Sequence, residues 1–435
     1  MIHWNSLRLL ALIAILATGC SAPLSTPLGQ SSMPKSFRAL GGEGDFPAST
    51  APKSLTFLSY QAVNNNLQGS LAPDLNAFER AIDPATTNIL VQADTLNLSF
   101  SLKEGFKNVG HANKNRGYRF FVRPDEQESF LSSYQDFADP NSGDGRTLQD
   151  FISLFASYPS RLQVLDIRSH GHGPLGIADD YKSRSNIALP DLQAAIQLGL
   201  NGKKLDVLTT KACLMATIEV GYQLSKNVRF LVASENGMTS RSNQDSLLYR
   251  SLDKVDEETS PREFALRYAR EGMALQSDAR RTVSTLSVLD LEKTEAIAAG
   301  MAEVTKDLLL LLPSRKTEVA QIFANCRNWG RAQTQSDLYD LVDKLEKLGD
   351  KKLSSDCERV KSAILPAVAF NLTDEKNRVG AHGLTILTQL NSGDPALDKA
   401  GIERYRNTAF DRKVGWSKVL EFTGISGPER KDNLG

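Results

Sequence analysis

Chemically distinctive residues are scarce in this chain: 435 residues hold four cysteines, five histidines and three tryptophans. Four cysteines are too few for a disulfide-dense scaffold. Neither sign of charge dominates, since 51 lysines and arginines face 51 aspartates and glutamates. A balanced chain has no overall field to draw it to nucleic acid, so no nucleic-acid partner is expected. Beyond the first twenty residues no apolar run is long enough to cross a membrane; Asp307 to Leu312 is a leucine cluster suited to a helix. No internal repeat is visible. What remains is a chain with 41% apolar residues, enough to bury a sizeable core.

The first twenty residues stand apart. Arg8 precedes the apolar run Leu9 to Ala17, and Ala17-Thr18-Gly19 lead into Cys20. This pattern reads as a secretory signal too short to span a bilayer. With Leu16 before it, Ala17-Thr18-Gly19-Cys20 resembles the lipobox of bacterial lipoproteins. The resemblance implies cleavage before Cys20, lipidation of that cysteine, and anchoring of an exported protein to the cell envelope, periplasmic or on the outer surface. The alternative is an ordinary secreted protein. From Ser21 to Lys53 the chain is rich in Ser, Pro, Gly and Ala, as a flexible tether is. In an oxidising compartment Cys326 and Cys357 are candidates for one disulfide, or for two buried thiols.

From Leu55 onward, apolar runs alternate with amphipathic stretches. The runs Leu55 to Tyr60, Asn88 to Ala93, Arg119 to Val122, Leu162 to Ile167, Leu205 to Leu208, Arg229 to Ala233 and Thr285 to Leu289 read as buried strands of a parallel sheet. Leu148, Phe151, Ile152 and Phe155 keep helical spacing, with Thr147 and Asp150 as a capping-box-like start. Leu192, Ile196 and Leu200 mark a helix after Pro190. The alternation argues for a three-layer α/β domain with a mostly parallel sheet, whose active residues gather at the carboxyl ends of strands. Past Ser260 the pattern turns mainly helical, with helices expected over Pro261 to Gln276, Leu291 to Leu312 and Ser336 to Leu348, and a last strand over His382 to Leu390.

Two strand ends carry reactive residues. One run ends in Arg168-Ser169-His170-Gly171-His172-Gly173, the other in Thr209-Thr210-Lys211-Ala212-Cys213-Leu214-Met215. Helical spacing after Cys213 predicts a thiol at a helix N-terminus, where a thiolate is stabilised. The glycines flanking His170 admit close approach of a substrate backbone, and the amides of Gly171 and Cys213 are candidates to hold an oxyanion. A thiol and an imidazole so placed are the parts of an acyl-transfer site, with Cys213 as nucleophile and His170 as its base. His170-x-His172 is also a metal-ligand spacing. His3, His111 and His382 supply no matching partners, so no metal site is assigned and His172 is read as a solvated loop residue or a substrate contact. The acidic residues Asp179 and Asp180, with Asp166, read as solvated turns.

The segment Lys211 to Val220, followed by Leu231-Val232-Ala233-Ser234-Glu235, closely resembles the cysteine region of the clostripain family of peptidases, and His170-Gly171 resembles their histidine motif. Thr147 to Phe151, Leu286 to Leu291, Asp337 to Leu341 and Ala381 to Thr385 resemble further landmarks in the same order, so the resemblance runs from about Leu55 to about Phe422. The wider group includes caspases, legumains, gingipains and separases. The 43 residues between His170 and Cys213 are near the roughly 50 of caspases. The resemblance implies a caspase-like α/β domain and a cysteine endopeptidase acting on protein or peptide. No cofactor is required by the residues; calcium enters only because some members use it. The chain then divides into a signal peptide (1–19), a tether (20–53), a caspase-like catalytic domain (54–290) and a mainly helical C-terminal region packed on it (291–435).

Two departures stand out. Family members usually carry aspartate two residues before the cysteine, in the pocket for a basic substrate side chain; this chain has Lys211. Lys211 either selects acidic or polar residues or turns to solvent and leaves a neutral pocket, and in both cases specificity for Arg or Lys is not expected. The Trp-Asp usual before His-Gly is Arg168-Ser169 here. These departures motivate two rival readings: an inactive scaffold or binding lipoprotein with the same fold, and a related acyl transferase. The stretch Asp179 to Asn186 is a candidate exposed loop for activating cleavage. Oligomeric state is not readable from the sequence.

Overall fold

A computed structural model describes residues 51–95, 116–124, 133–138, 140–238, 249, 251–252, 255–277, 285–330, 333–373, 380–390, 392 and 394–423. The signal, Cys20 and most of the tether lie outside them. In chain order the elements are β1 (Lys53–Val63), α1 (Leu71–Ala81), β2 (Thr87–Thr95), β3 (Arg116–Phe121), β4 (Ser133–Ala138), α2 (Gly145–Ile152), β5 (Ser160–Arg168), β6 (Ile177–Asp180), β7 (Ser185–Ile187), α3 (Leu189–Gly199), β8 (Leu205–Lys211), α4 (Ile218–Leu224), β9 (Val228–Ala233), α5 (Pro261–Ser277) and β10 (Thr285–Asp290). They continue as α6 (Thr294–Asn325), β11 (Asn328–Trp329), β12 (Gln333–Asp337), α7 (Leu338–Glu346), α8 (Lys351–Ala367), β13 (Val368–Thr373), β14 (Thr385–Leu390), α9 (Pro395–Arg406), α10 (Ala409–Val414) and α11 (Ser417–Thr423).

Nine strands form the main sheet in the order β13-β10-β9-β8-β5-β1-β2-β3-β4. The five from β9 to β2 are parallel. The sheet is therefore mostly parallel, with one correction to the expectation: β3 and β10 run antiparallel to their neighbours. Both lie outside the parallel block, on the flanks of the sheet, where an antiparallel strand on an otherwise parallel sheet is common; β4 and β13 extend those edges. The C-terminal region thus contributes β13 to the main sheet. The strand predicted over His382 to Leu390 forms as β14, but in a separate three-stranded sheet, β11-β12-β14.

Alternation along the parallel strands gives each face its own core. Leu58, Leu165 and Leu208 point into one cluster with α2, α3, α4 and α6; Phe57, Val164 and Val207 point into the other with Leu75, Phe78 and Phe264. The chain crosses one way from β1 to β2 and then to the other side of β1 for β5. That makes a topological switch point between β1 and β5, the place where α/β sheets open a crevice at their carboxyl ends.

Two helix boundaries differ from expectation. α2 begins at Gly145, and its cap is Asp144, whose side chain accepts the Arg146 amide, instead of Thr147. α6 continues past Leu312 and Pro313 through a break at Arg315 (φ −126°, ψ 23°), because Val319 and Phe323 beyond the kink still bury apolar surface.

Near the switch point two buried acids, Asp94 and Asp180, share the amide of Ser142, at 3.2 and 3.0 Å. Asn64 donates to Asp94 at 3.0 Å. Burial, then Asp180, push the Asp94 carboxyl from 3.8 up to about 8. The folded chain therefore holds a proton that the unfolded chain has lost. The resulting stability is complete below about pH 4 and is lost as pH rises through about 8. Asp94→Asn is expected to be more resistant to urea than the native chain at pH 9 and closer to it at pH 5; equal midpoint differences at the two pH values would contradict this.

Candidate active site

β5 and β8 are adjacent and in register, with Arg168 opposite Lys211. The Ser169 amide still reaches the Lys211 carbonyl, at 3.4 Å. Beyond that the two chains turn, and Gly171 lies against Cys213. A Cβ on Gly171 would stand 2.5 Å from the Cys213 carbonyl oxygen and 2.9 Å from the Ala212 methyl. The glycine is needed for this backbone contact within the protein. The segments that carry His170 and Cys213 are thus backbone neighbours at the carboxyl ends of β5 and β8.

Gly171 is also half of an isolated antiparallel bridge with Ile177. The bonds of that bridge run from Ala178 to the His170 carbonyl (3.1 Å) and from His172 to the Gly176 carbonyl (2.8 Å). The Gly171 amide is left outside the ladder. After Cys213 the chain bends through Leu214, which has φ +65°. A leucine in the left-handed region costs roughly 1–2 kcal/mol, and it is held there by its amide on the Asn236 carbonyl at 3.0 Å. Nothing in the sequence signals this strain, because a leucine carries no mark of its φ.

Directly beneath the crevice, the sheet face toward α1 carries a buried polar network. Asp74, fully buried in α1, pairs with Arg168 Nη1 at 2.9 Å and with Lys211 Nζ at 3.4 Å. Arg168 Nε donates to Ser70 Oγ at 2.7 Å. Lys211 also bonds the Tyr249 hydroxyl at 3.3 Å, with its ammonium 4.6 Å from that ring's centre. Asp166 lies deeper, accepting from Thr209, Ser59 and Tyr268. This corrects both readings of Lys211. Its side chain is only 5% exposed, so it does not turn to solvent, and its ammonium is engaged by Asp74 and not extended as a free charge. Asp166 is likewise part of a packed network and no solvated turn.

The expected helix N-terminus at Cys213 is absent: β8 ends at Lys211 and α4 starts only at Ile218, capped by Thr217. Ala216 and Leu214 instead pair with the Ser234 and Asn236 carbonyls. Cys213 is half-buried; its Sγ accepts the Met238 amide at 3.2 Å. Burial outweighs that bond and raises the thiol above its ordinary 9.0, the reverse of the expected acidification. His170 shifts the other way: burial lowers it from 6.5 against the opposing pull of Asp179.

His170 Nε2 lies 2.6 Å from Asn66 Oδ1. Among the described residues its Nδ1 has no hydrogen-bond partner. The neighbouring His172 is neither solvated nor turned to a ligand: its Nε2 sits 2.9 and 3.0 Å from the two oxygens of Asp179, and this pairing raises its pKa against burial. Asp179 and Asp180 are buried in β6, so the exposed part of the stretch Asp179 to Asn186 shrinks to Lys182, Ser183 and Arg184 at the β6–β7 turn.

Beside the thiol, Leu214, Trp329 and Ala381 form a small apolar cluster in contact with Cys213. Cys326 and Cys357 are free buried thiols, with pKa values pushed by burial up to about 12; the disulfide is not formed. Sequence reasoning misses the run Asn64-Asn65-Asn66 at the end of β1. Three carboxamides in a row just past a buried strand at the switch point are the available signal. Asn65 donates to the Ala62 and Asp179 carbonyls at 3.0 and 2.8 Å, and Tyr181 donates its amide to the Asn64 carbonyl at 2.9 Å. These bonds tie the tip of β1 to the His170 loop.

The sequence model described as the clostripain family, peptidase C11, matches residues 59–421. Among curated proteins none matches the chain. Three solved structures share the fold. A secreted C11 cysteine protease from Bacteroides thetaiotaomicron, "iotapain", is 14% identical with a TM-score of 0.59. A secreted C11 cysteine protease from the same organism in complex with an irreversible peptide inhibitor is 18% identical, at 0.60. An inactive zymogen C11 protease from Parabacteroides distasonis is 20% identical, at 0.57. Each comparison covers 84% of this chain and 99% of the other. No helix among the described residues is long and apolar enough to cross a membrane.

The network under the crevice yields a direct expectation. Removing the carboxylate shared by two buried cations breaks both ion pairs at once, at a cost of about 3–5 kcal/mol. Asp74→Ala is expected to lower the urea-unfolding free energy by that amount, and a loss below about 1 kcal/mol would show that the ion pairs are immaterial to the fold.

Proposed function

We propose that this chain, which belongs to the clostripain family of cysteine peptidases, cleaves peptide bonds with Cys213 as nucleophile and His170 as its proton-transfer partner. The hydrolase class follows from the family. The residue roles are supported by one observation above all, the close backbone contact of Gly171, next to His170, with Cys213.

Burial raises the thiol and lowers the imidazole, so at neutral pH both are uncharged. His170 therefore acts as a general base: it takes the thiol proton as Sγ bonds to the substrate carbonyl carbon. The carbonyl electrons move to oxygen, and the Gly171 and Cys213 amides hold that oxyanion. The imidazolium gives its proton to the departing amine as the C–N bond breaks, which leaves a thioester. Water then attacks, His170 takes its proton, and collapse expels Sγ, which recovers the proton as the acid leaves. A transferase would differ only in the acceptor, an amine in place of water.

Primary specificity is for residues other than Arg or Lys, because Lys211 stands where a pocket aspartate is usual in the family, and the nearby carboxylate of Asp74 is already committed to Lys211 and Arg168. Peptide profiling should show little cleavage after basic residues; efficient turnover after Arg would refute the assignment. The reading of the N-terminus stands beside this: export with lipid anchoring at Cys20. It is in keeping with relatives described as secreted, and labelled fatty acid should enter the native chain but not Cys20→Ala.

Cys213→Ala and His170→Ala are each expected to lose about 10³-fold or more in kcat/KM. The pH dependence separates a neutral pair from a preformed ion pair. The acid limb of kcat/KM should fall below pH 6.5, and the rate of Cys213 alkylation should keep rising as pH increases through 9. An alkylation rate already level at pH 6 would indicate a thiolate–imidazolium pair instead.

A further inference from the structure

The dyad reading leaves open which imidazole nitrogen is the base. Asn66 sits just past β1, on the far side of His170 from the strand that carries Cys213, since β5 lies between β1 and β8. Its Oδ1 is 2.6 Å from His170 Nε2 and accepts the Tyr181 hydroxyl at 3.2 Å. The same hydroxyl is 3.5 Å from Nε2, and the Tyr181 ring lies nearly parallel to the imidazole, 7° apart with centroids 6.1 Å apart. A carboxamide oxygen only accepts, so the nitrogen facing it must carry the proton. Asn66 in turn is anchored by its neighbours: Asn64 is bonded to Asp94, and Asn65 to the Ala62 and Asp179 carbonyls.

We infer that Asn66 is the positioning residue of the site: its side-chain oxygen fixes His170 as the Nε2–H tautomer and turns Nδ1, which has no partner among the described residues, into the base for Cys213. The inference rests on the Cys213–His170 reading. Nothing in the sequence assigns this role to Asn66, which is exposed and carries no packing load. In mechanism it supplies the third group that orients a catalytic base. As the imidazolium forms, Nε2–H keeps its acceptor while Nδ1 exchanges protons with the thiol and the leaving amine. The Tyr181 hydroxyl, bonded to the same oxygen, holds the carboxamide against Nε2.

The test uses the soluble chain lacking residues 1–20, with Asn66→Ala and Asn66→Asp. Asn66→Ala should lower kcat about a hundred-fold with little change in KM and no change in Tm. Asn66→Asp keeps an acceptor at Nε2 but adds a negative charge that favours the imidazolium. It should recover activity at higher pH, with the acid limb moved upward relative to the native enzyme. Nitrogen NMR of ¹⁵N-histidine protein in the Cys213→Ala background reads the tautomer without any turnover, and five histidines make assignment tractable. The His170 ring should report Nε2–H when Asn66 is present and a mixture of tautomers once Asn66→Ala is added. If Asn66→Ala keeps full kcat while Cys213→Ala is dead, or if His170 reports Nδ1–H with Asn66 in place, the positioning role is overturned and the dyad stands. If Cys213→Ala retains activity, the dyad itself is wrong, and the tautomer spectrum still decides the role of Asn66.

Discussion

One carboxylate, that of Asp74, holds the two strand ends on which the site is built. It sits on α1, a helix that follows β1, and reaches Arg168 at the end of β5 and Lys211 at the end of β8. His170 is two residues beyond the first contact and Cys213 two beyond the second. In a buried setting an ion pair adds little net stability over an apolar replacement. Its effect is directional: two cations on adjacent strands would repel one another without a shared anion, and with it they are drawn to a common point.

The sheet supplies the rest by alternation. On the face toward α1, side chains change from apolar to polar along each strand, Val164 to Asp166 to Arg168 and Val207 to Thr209 to Lys211. On the opposite face β5 stays apolar at that depth with Ile167, and β8 places Thr210 beside it, its hydroxyl bonded to the Val232 carbonyl. The polar side chains can therefore be buried only because they satisfy one another, and they do so at the carboxyl edge, beneath the reactive loops. At the switch point, the end of β1 stands beside the end of β5, which is why the asparagine run lies within reach of the His170 loop.

Much of this is legible in the residues. Apolar runs mark most of the strands of the main sheet, and two of those runs, each ending in a reactive residue, mark the crevice. Strand direction is not legible for β3 and β10, because a buried apolar run looks alike in either orientation. Periodicity misplaces the start of the helix after Cys213 because Leu214, Met215 and Ile218 keep helical spacing, while only Ile218 belongs to α4 and Leu214 to Ala216 form a bent segment bonded to the Asn236 and Ser234 carbonyls. That error carries the thiol's acidity with it. Lys211 reads as a free charge because its partner, Asp74, is 137 residues away and no local pattern announces it. His172 and Asp179 look polar and solvated singly, whereas Asp179 is buried and holds the half-buried His172. Asn66 escapes notice because a carboxamide after a strand is ordinarily a turn residue, and only the fold places it against an imidazole.

The separation of the parts along the chain has a consequence for timing. Asn66 and His170 are 104 residues apart, and they meet only when β5 has been laid beside β1; Cys213 joins them when β8 pairs with β5. Pairings of such long range form late, after the entropy of closing large loops has been overcome. A nascent or still extended copy of the chain therefore holds a thiol and an imidazole that cannot act together. The reactive residues become neighbours only as the parallel block of the sheet is completed, so chain topology alone ties their encounter to folding.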